Sequence, residues 1–251
     1  QARKRDYDLL LFNADRFDSP ERMPTCATLA KLCDGLLLVM PTADDRFLDT
    51  IERQQLCCAL VCFDARQLAL PTIVLENRAG ARAAVEHLLG LGHRRIGFIA
   101  GSARTGQSGE RERGYIDALA AAGIAHDPAL VIDGAFSQPG GFAAAQRLLD
   151  LAAPPSAIFA ANDEMAFGAI DAVASRGLKV PQDVSVVGFD DISTASYVFP
   201  RLTTMHQPYE ALAERAVHEV VEMIEGRPPA AARIAFATEL VVRDSTGPAP
   251  A

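Results

Sequence analysis

The side chains best suited to hold a ligand come in two pairs. Asn162 and Asp163 follow the short apolar run 157–161, and Asp190 and Asp191 follow a run containing Val184, Val186 and Val187. Each run has the length of a buried strand. Both pairs therefore fall at carboxyl ends of parallel strands, where open α/β sheets bind ligands. Asparagine offers a donor and an acceptor, and an ionised carboxylate accepts two hydroxyl protons, which suits a small polar molecule. Arg111, within Glu110-Arg-Glu-Arg113, can give the same rim a charged donor, or it is a solvated arginine in a charged run. Phe136, just after a strand, can stack on a ring or pack into the core. Asn162 or Asp163 can also serve only as a helix N-cap, and one of Asp190 and Asp191 as the cap of the next turn.

Catalytic chemistry finds no complete motif. No G-x-S-x-G elbow occurs. Residues 101–108, GSARTGQS, follow a phosphate-loop pattern except that Gln107 stands where the phosphate-binding lysine is needed. The five histidines do not pair at metal-ligand spacing, and the five cysteines include no C-x-x-C. No catalytic residue, metal or cofactor is expected. His87 and His93 flank a helix end, where a cation is favoured, and read as structural residues. His206 follows a strand-like segment as a hinge or cleft residue. The cysteines read as reduced, mostly buried thiols of a cytoplasmic protein.

The elements that position these residues alternate strand with helix. Residues 1–5 read as the last turn of a helix and 7–14 as a strand. An irregular helix over 18–33, disturbed by Pro24, precedes a strand at 34–40. A helix at 44–54 leads to a strand at 59–63, which ends at Asp64, and a fourth strand spans 72–75. Asn77 caps a helix that buries Ala81, Ala84, Val85 and Leu88. A strand follows at 96–100, a helix at 109–122, a strand at 130–133 and a helix at 140–151. After the strand at 157–161, Ala166, Ala169, Ile170 and Val173 form one helical face that Gly177 ends. A strand-like segment spans 202–208. A helix at 209–225 turns Ala213, Ala216, Val217, Val220 and Ile224 inward. The last strand runs over 234–242, and the tail from Thr246 is expected to be mobile. This alternation predicts parallel sheets covered on both faces, and about ten strands predict two lobes.

Composition bounds the function. The chain has 251 residues, 49% apolar and 22% charged, enough for a full core. A net charge of −8 argues against these residues gripping nucleic acid by themselves. No apolar run approaches the ~20 residues of a membrane span.

Residues 157–192, AIFAANDEMAFGAIDAVASRGLKVPQDVSVVGFDDI, resemble the signature of the lac repressor/gal repressor family of transcription regulators. The blocks HLLGLGHRRIGFIAG (87–101), RERGYIDALAAAGI (111–124), GAFSQPGG (134–141), PRLTTMHQP (200–208) and RDST (243–246) are similar to that family's, in its order. The resemblance implies an α/β fold of two periplasmic-binding-protein-like lobes joined by three crossovers. One lobe would take residues 1–75 and 209–236, the other 76–208 and 237–251. It implies a small polar effector, a sugar or sugar derivative, held between the lobes by Arg111, Asn162 and Asp190, with Phe136 as the aromatic stacker and Asp64 as a further contact. It also implies a homodimer that meets operator DNA only through an N-terminal headpiece outside these residues, so sequence before Gln1 is expected to be absent. Glu76 stands where the family usually has Asp. The competing reading is a periplasmic solute receptor of a sugar transporter, with the same fold.

Overall fold

The computed structural model describes residues 2–12, 26–39, 48, 51–63, 70–102 and 106–250. In chain order its elements begin with a 3-10 turn at Ala2–Arg5, α1 at Cys26–Leu32, β1 at Leu36–Val39, β2 at Cys58–Val61 and β3 at Thr72–Leu75. Next come α2 (Asn77–Gly90), β4 (Ile96–Ala100), α3 (Gly106–Ala121), β5 (Val131–Asp133), α4 (Gln138–Leu149), β6 (Ala157–Ala160) and α5 (Asp163–Ser175). The chain closes with β7 (Ser185–Val187), β8 (Thr204–His206), α6 (Tyr209–Ile224), β9 (Arg233–Phe236) and β10 (Glu239–Val241). Two compact units result. The first comprises Gln1–Val74 and Tyr209–Phe236, the second Leu75–Pro208 and Ala237–Ala251.

The first unit holds the sheet β1-β2-β3-β9, in which β1, β2 and β3 run parallel. Helix α6 packs on β1 and β2. Its buried face is Leu212, Ala216, Glu219, Val220 and Val221. The expected face was rotated from this one: Ala213 is exposed, and Val217 and Ile224 are half-buried. Leu212 and Val221 carry more apolar surface than Ala213, and burying them gains more. Residues 7–12 are not a strand, and Leu9, Leu10, Leu11 and Phe12 are exposed at 73%, 59%, 91% and 52%. Among the described residues no strand lies alongside to take their backbone hydrogen bonds, and without a ladder partner an apolar run stays irregular. Of the cysteines with described side chains, Cys58 is buried, Cys33, Cys57 and Cys62 are half-buried, and all four are free thiols. The expectation of mostly buried thiols thus holds for Cys58 alone. Asp64, residues 13–25, most of the expected helix at 44–54 and residues 103–105 lie outside the described residues.

The second unit is a doubly wound sheet with strand order β5-β4-β6-β7, all parallel. The chain moves one way from β4 to β5 and back past β4 to β6. Right-handed crossovers then put α3 on one face and α4 with α5 on the other. The helices pair accordingly, α2 with α3 and α4 with α5. The central strands read as unbroken apolar runs, Ile96-Gly-Phe-Ile-Ala and Ala157-Ile-Phe-Ala, and every residue of both is buried. That is the pattern of strands covered on two faces. Strand order reverses between β4 and β6, so the carboxyl ends of these two strands flank the crevice expected to take a ligand.

Three further expectations are corrected. Asn77 does not cap α2. Glu76 occupies the N-cap position without a side-chain cap bond, and Asn77 is the first helical residue. The single strand expected over 234–242 is two strands in two sheets, β9 beside β3 and β10 antiparallel to β8. A continuous alternating pattern carries no mark of a change of ladder partner. The tail is held rather than loose. Ser245 Oγ donates to Val186 O at 2.6 Å, Gly247 N donates to Ser185 Oγ at 3.0 Å, and Ala249 N donates to Leu91 O at 2.9 Å.

Candidate functional site

Arg111 is the centre of the rim. It lies on α3, the helix that follows β4, and its side chain is only 3% exposed. Its Nε donates to Asn77 Oδ1 at 2.8 Å, and Nη1 donates to Ala161 O at the carboxyl end of β6. The guanidinium carbon sits 4.0 Å from the centroid of the Phe189 ring. Nη1 is also 3.5 Å from Asp190 Oδ1. Arginine suits this place because a planar cation can satisfy several acceptors in fixed directions while its face packs on an aromatic ring. The solvated-arginine alternative is thereby excluded.

Asp190 is carried by the segment after β7, and its side chain is 19% exposed. The segment is stitched to β8: Gly188 N donates to Thr203 O at 2.9 Å and Asp190 N to Met205 O at 2.9 Å. Gln207 Nε2 donates to Asp190 Oδ1. The backbone here is strained, with φ of 129° at Asp190 and 58° at Asp191. Such values are uncommon for residues with a Cβ and gather where a side chain must be aimed. Asp191 is occupied otherwise. Its carboxylate takes Arg243 Nη2 at 2.6 Å and lies 3.0 Å from His206 Nδ1. His206, expected as a hinge or cleft residue, sits on β8 as a partner of Asp191.

Asn162 is the N-cap of α5, its Oδ1 accepting from Met165 N at 2.9 Å. Its Nδ2 makes a long 3.5 Å contact with Phe136 O, so the donor half of the amide faces the turn after β5. Ala135 and Phe136 both adopt left-handed backbone, φ 51° and 56°, and Ala135 N donates to Asp133 Oδ1 at 2.7 Å. This turn lays the half-buried Phe136 ring against the backbone of Gly101 at the end of β4, where any Cβ would overlap the ring. Arg111, Asp190, Asn162 and Phe136 thus gather at the carboxyl ends of β4, β5, β6 and β7.

Sequence reasoning missed Asn77, Phe189 and Gln207, and it named Asp163 as a ligand contact or an N-cap rather than as a buried acceptor. Asp163 is fully buried and accepts from Ile192 N at 2.9 Å and from the Thr204 hydroxyl. Burial raises its carboxyl above the ordinary range, opposed by the Thr204 and Ile192 bonds. Position alone gave two signals: Asp163 opens a helix beside an expected ligand residue, and Phe189 directly precedes another. Nothing in the sequence connects Asn77 to Arg111. His87 and His93 are structural, as expected, although neither is a cation at the helix end. His93 is fully buried, with Nδ1 2.8 Å from Ser156 Oγ and Nε2 3.1 Å from Gly247 O, and burial pushes its imidazole below the usual range. Burial lowers His87 likewise, with the neighbouring His93 adding to the shift. Among the described residues no group of three or more His, Cys, Asp or Glu is placed to hold a metal ion.

Polar side chains at the strand ends of a doubly wound unit stand where such sheets take small-molecule ligands, and the comparisons give the family. The family model of the periplasmic binding protein-like domain matches residues 85–246. The chain is 32% identical over 249 residues to the probable HTH-type transcriptional repressor ExuR of Bacillus subtilis, spanning 98% of this chain and 72% of that protein. A solved transcriptional regulator CelR–cellobiose complex is 34% identical with a TM-score of 0.78, over 84% of this chain and 65% of that one. A LacI family transcriptional regulator from Enterococcus faecium, solved with bound ribose, is 25% identical with a TM-score of 0.84, over 98% and 90%. The chain belongs to the LacI family of transcription regulators.

Proposed function

We propose that this chain is the effector-sensing part of a transcription regulator, and that the rim around Arg111 and Asp190 binds a sugar or sugar derivative. The observation that carries this reading is the Arg111–Asp190 pair, 3.5 Å apart at the end of a crossover strand. A carboxylate beside a guanidinium offers acceptors and donors to neighbouring hydroxyls, Asn162 Nδ2 adds a donor, and the Phe136 ring suits the apolar face of a sugar. Relatives with bound cellobiose and ribose support the same ligand class. Asp64 is a further candidate contact. No bond need be made or broken. The effector acts through its different affinity for two states of the protein and so alters the operator affinity of an attached DNA-binding segment. Residues 1–75 with 209–236, and 76–208 with 237–251, are the two lobes in this reading.

The regulator acts as a homodimer in the cytoplasm. Tyr197 and Phe199 are 82% and 92% exposed, and a 320 Å³ open groove at Phe199 is lined mostly by apolar residues, Ile170, Leu178, Val180 and Pro200, with Lys179 and Gln182 among them. An apolar patch of this kind is a frequent protein–protein contact. No described helix is long and apolar enough to cross a membrane. A thermal-shift screen of the chain against mono- and disaccharides, including ribose and cellobiose, tests the ligand reading, because a ligand that binds only the native state raises Tm. A sugar response lost in Asp190→Ala supports the site. A response unchanged in that variant refutes it.

A further inference from the structure

Asp163 is a fully buried carboxylate outside the proposed effector contacts. Its two oxygens are used on different elements: Oδ2 accepts from the amide of Ile192 at 2.9 Å, and Oδ1 accepts from the Thr204 hydroxyl on β8. The amide of Asp191 also stabilises its charge. On the other side, Gly188 approaches so closely that a Cβ there would overlap Asp163 Oδ1. Asp163 therefore meets the segment 188–192 at both ends, by a hydrogen bond at Ile192 and by close packing alone at Gly188. Between these contacts lie Asp190 and Asp191, the two residues with φ of 129° and 58°. A strained backbone persists only where its surroundings over-determine it. The first turn of α5 favours a negative charge here, which offsets part of the cost of burying a carboxylate.

We propose that Asp163 is a positioning residue for effector recognition: it fixes residues 188–192 in the strained conformation that presents the Asp190 carboxylate beside Arg111. Its consequence for binding rests on the sugar reading above; its hold on the loop does not. The hydrogen bonds, rather than the charge, do the holding. An asparagine at 163 can accept from the Ile192 amide through its carbonyl and donate to Thr204 Oγ, whose own proton is free to turn. An alanine leaves the Ile192 amide unpaired and removes the contact with Gly188.

The test is amide hydrogen exchange on the whole chain without ligand, comparing the parent with Asp163→Ala and Asp163→Asn. In Asp163→Ala the amides of Asp191 and Ile192 exchange about tenfold faster, the effect of one lost buried hydrogen bond, while those of Phe98 and Phe159 keep their protection. Asp163→Asn restores parent exchange at 191 and 192. Unchanged exchange at 191 and 192 in the alanine variant overturns the proposal, and so does a failure of the asparagine variant, folded by the Phe98 and Phe159 amides, to restore it. Thermal shifts with ribose and cellobiose on the same three proteins separate the two ideas. A local exchange pattern as expected, with no sugar response even in the parent, keeps the positioning role and removes the sugar. A sugar response in Asp163→Ala equal to that of the parent removes the positioning role.

Discussion

Replacing Arg111 by alanine should damage the fold as well as the site. The side chain is 2% exposed as a residue, and its loss strips partners from Asn77 Oδ1, Ala161 O and Asp190 at once. Unit charges at the observed 3.5 Å attract by about 5 kcal/mol at an effective dielectric near 20. Desolvation offsets much of that, so the pair's net coupling is about 1–3 kcal/mol. Leaving buried acceptors unpaired and opening a cavity beside Phe189 brings the total cost to about 3–5 kcal/mol. At roughly 2–4 °C per kcal/mol for a body of this size, Tm should fall by about 6–20 °C. Calorimetry on Arg111→Ala, Asp190→Ala and the double variant reads both quantities. The cycle should return a coupling above about 1 kcal/mol, because the two singles share one interaction. An Arg111→Ala protein melting within about 2 °C of the parent would refute the reasoning that these contacts support the fold.

Other outcomes follow from the same contacts. His93 is held neutral by burial, so the unfolded chain takes up its proton first as pH falls. Stability should be level above about pH 6.5 and decline below it until the lowered folded-state pKa is reached, and His93→Gln should flatten that slope in a pH series of urea melts. Gly101→Ala should displace the Phe136 ring, the flexible partner in the overlap. Its stability should change by no more than about 1 kcal/mol while sugar affinity drops, measured by titration calorimetry. Removing residues 245–251 deletes the Ser245 bond to Val186, the Gly247 bond to Ser185 and the Ala249 bond to Leu91. Tm should fall by at least about 5 °C, whereas a mobile tail would leave it unchanged.

The sequence disclosed the layout of the second unit because its signals are local. The apolar runs at Ile96 and Ala157, the face of Ala81, Ala84, Val85 and Leu88, and the φ of 73° at Gly177 each specify an element from neighbouring residues. Strand-end geometry brought Asn162 and Asp190 forward for the same reason. The partnerships of those residues were not legible. Asn77 is 34 positions from Arg111, and Thr204 is 41 from Asp163. Composition alone read the Pro- and Ala-rich tail as loose, although its backbone and hydroxyls complete β7. The burial of His93 likewise depends on Ser156 and Gly247, neither near it in sequence.

The most direct test of the account is a crystal structure of the chain with the sugar that most raises its Tm. The account predicts vicinal hydroxyls within hydrogen-bond distance of Asp190 and Arg111, with the sugar ring against Phe136. A sugar bound elsewhere, with the Arg111–Asp190 pair untouched, would contradict it.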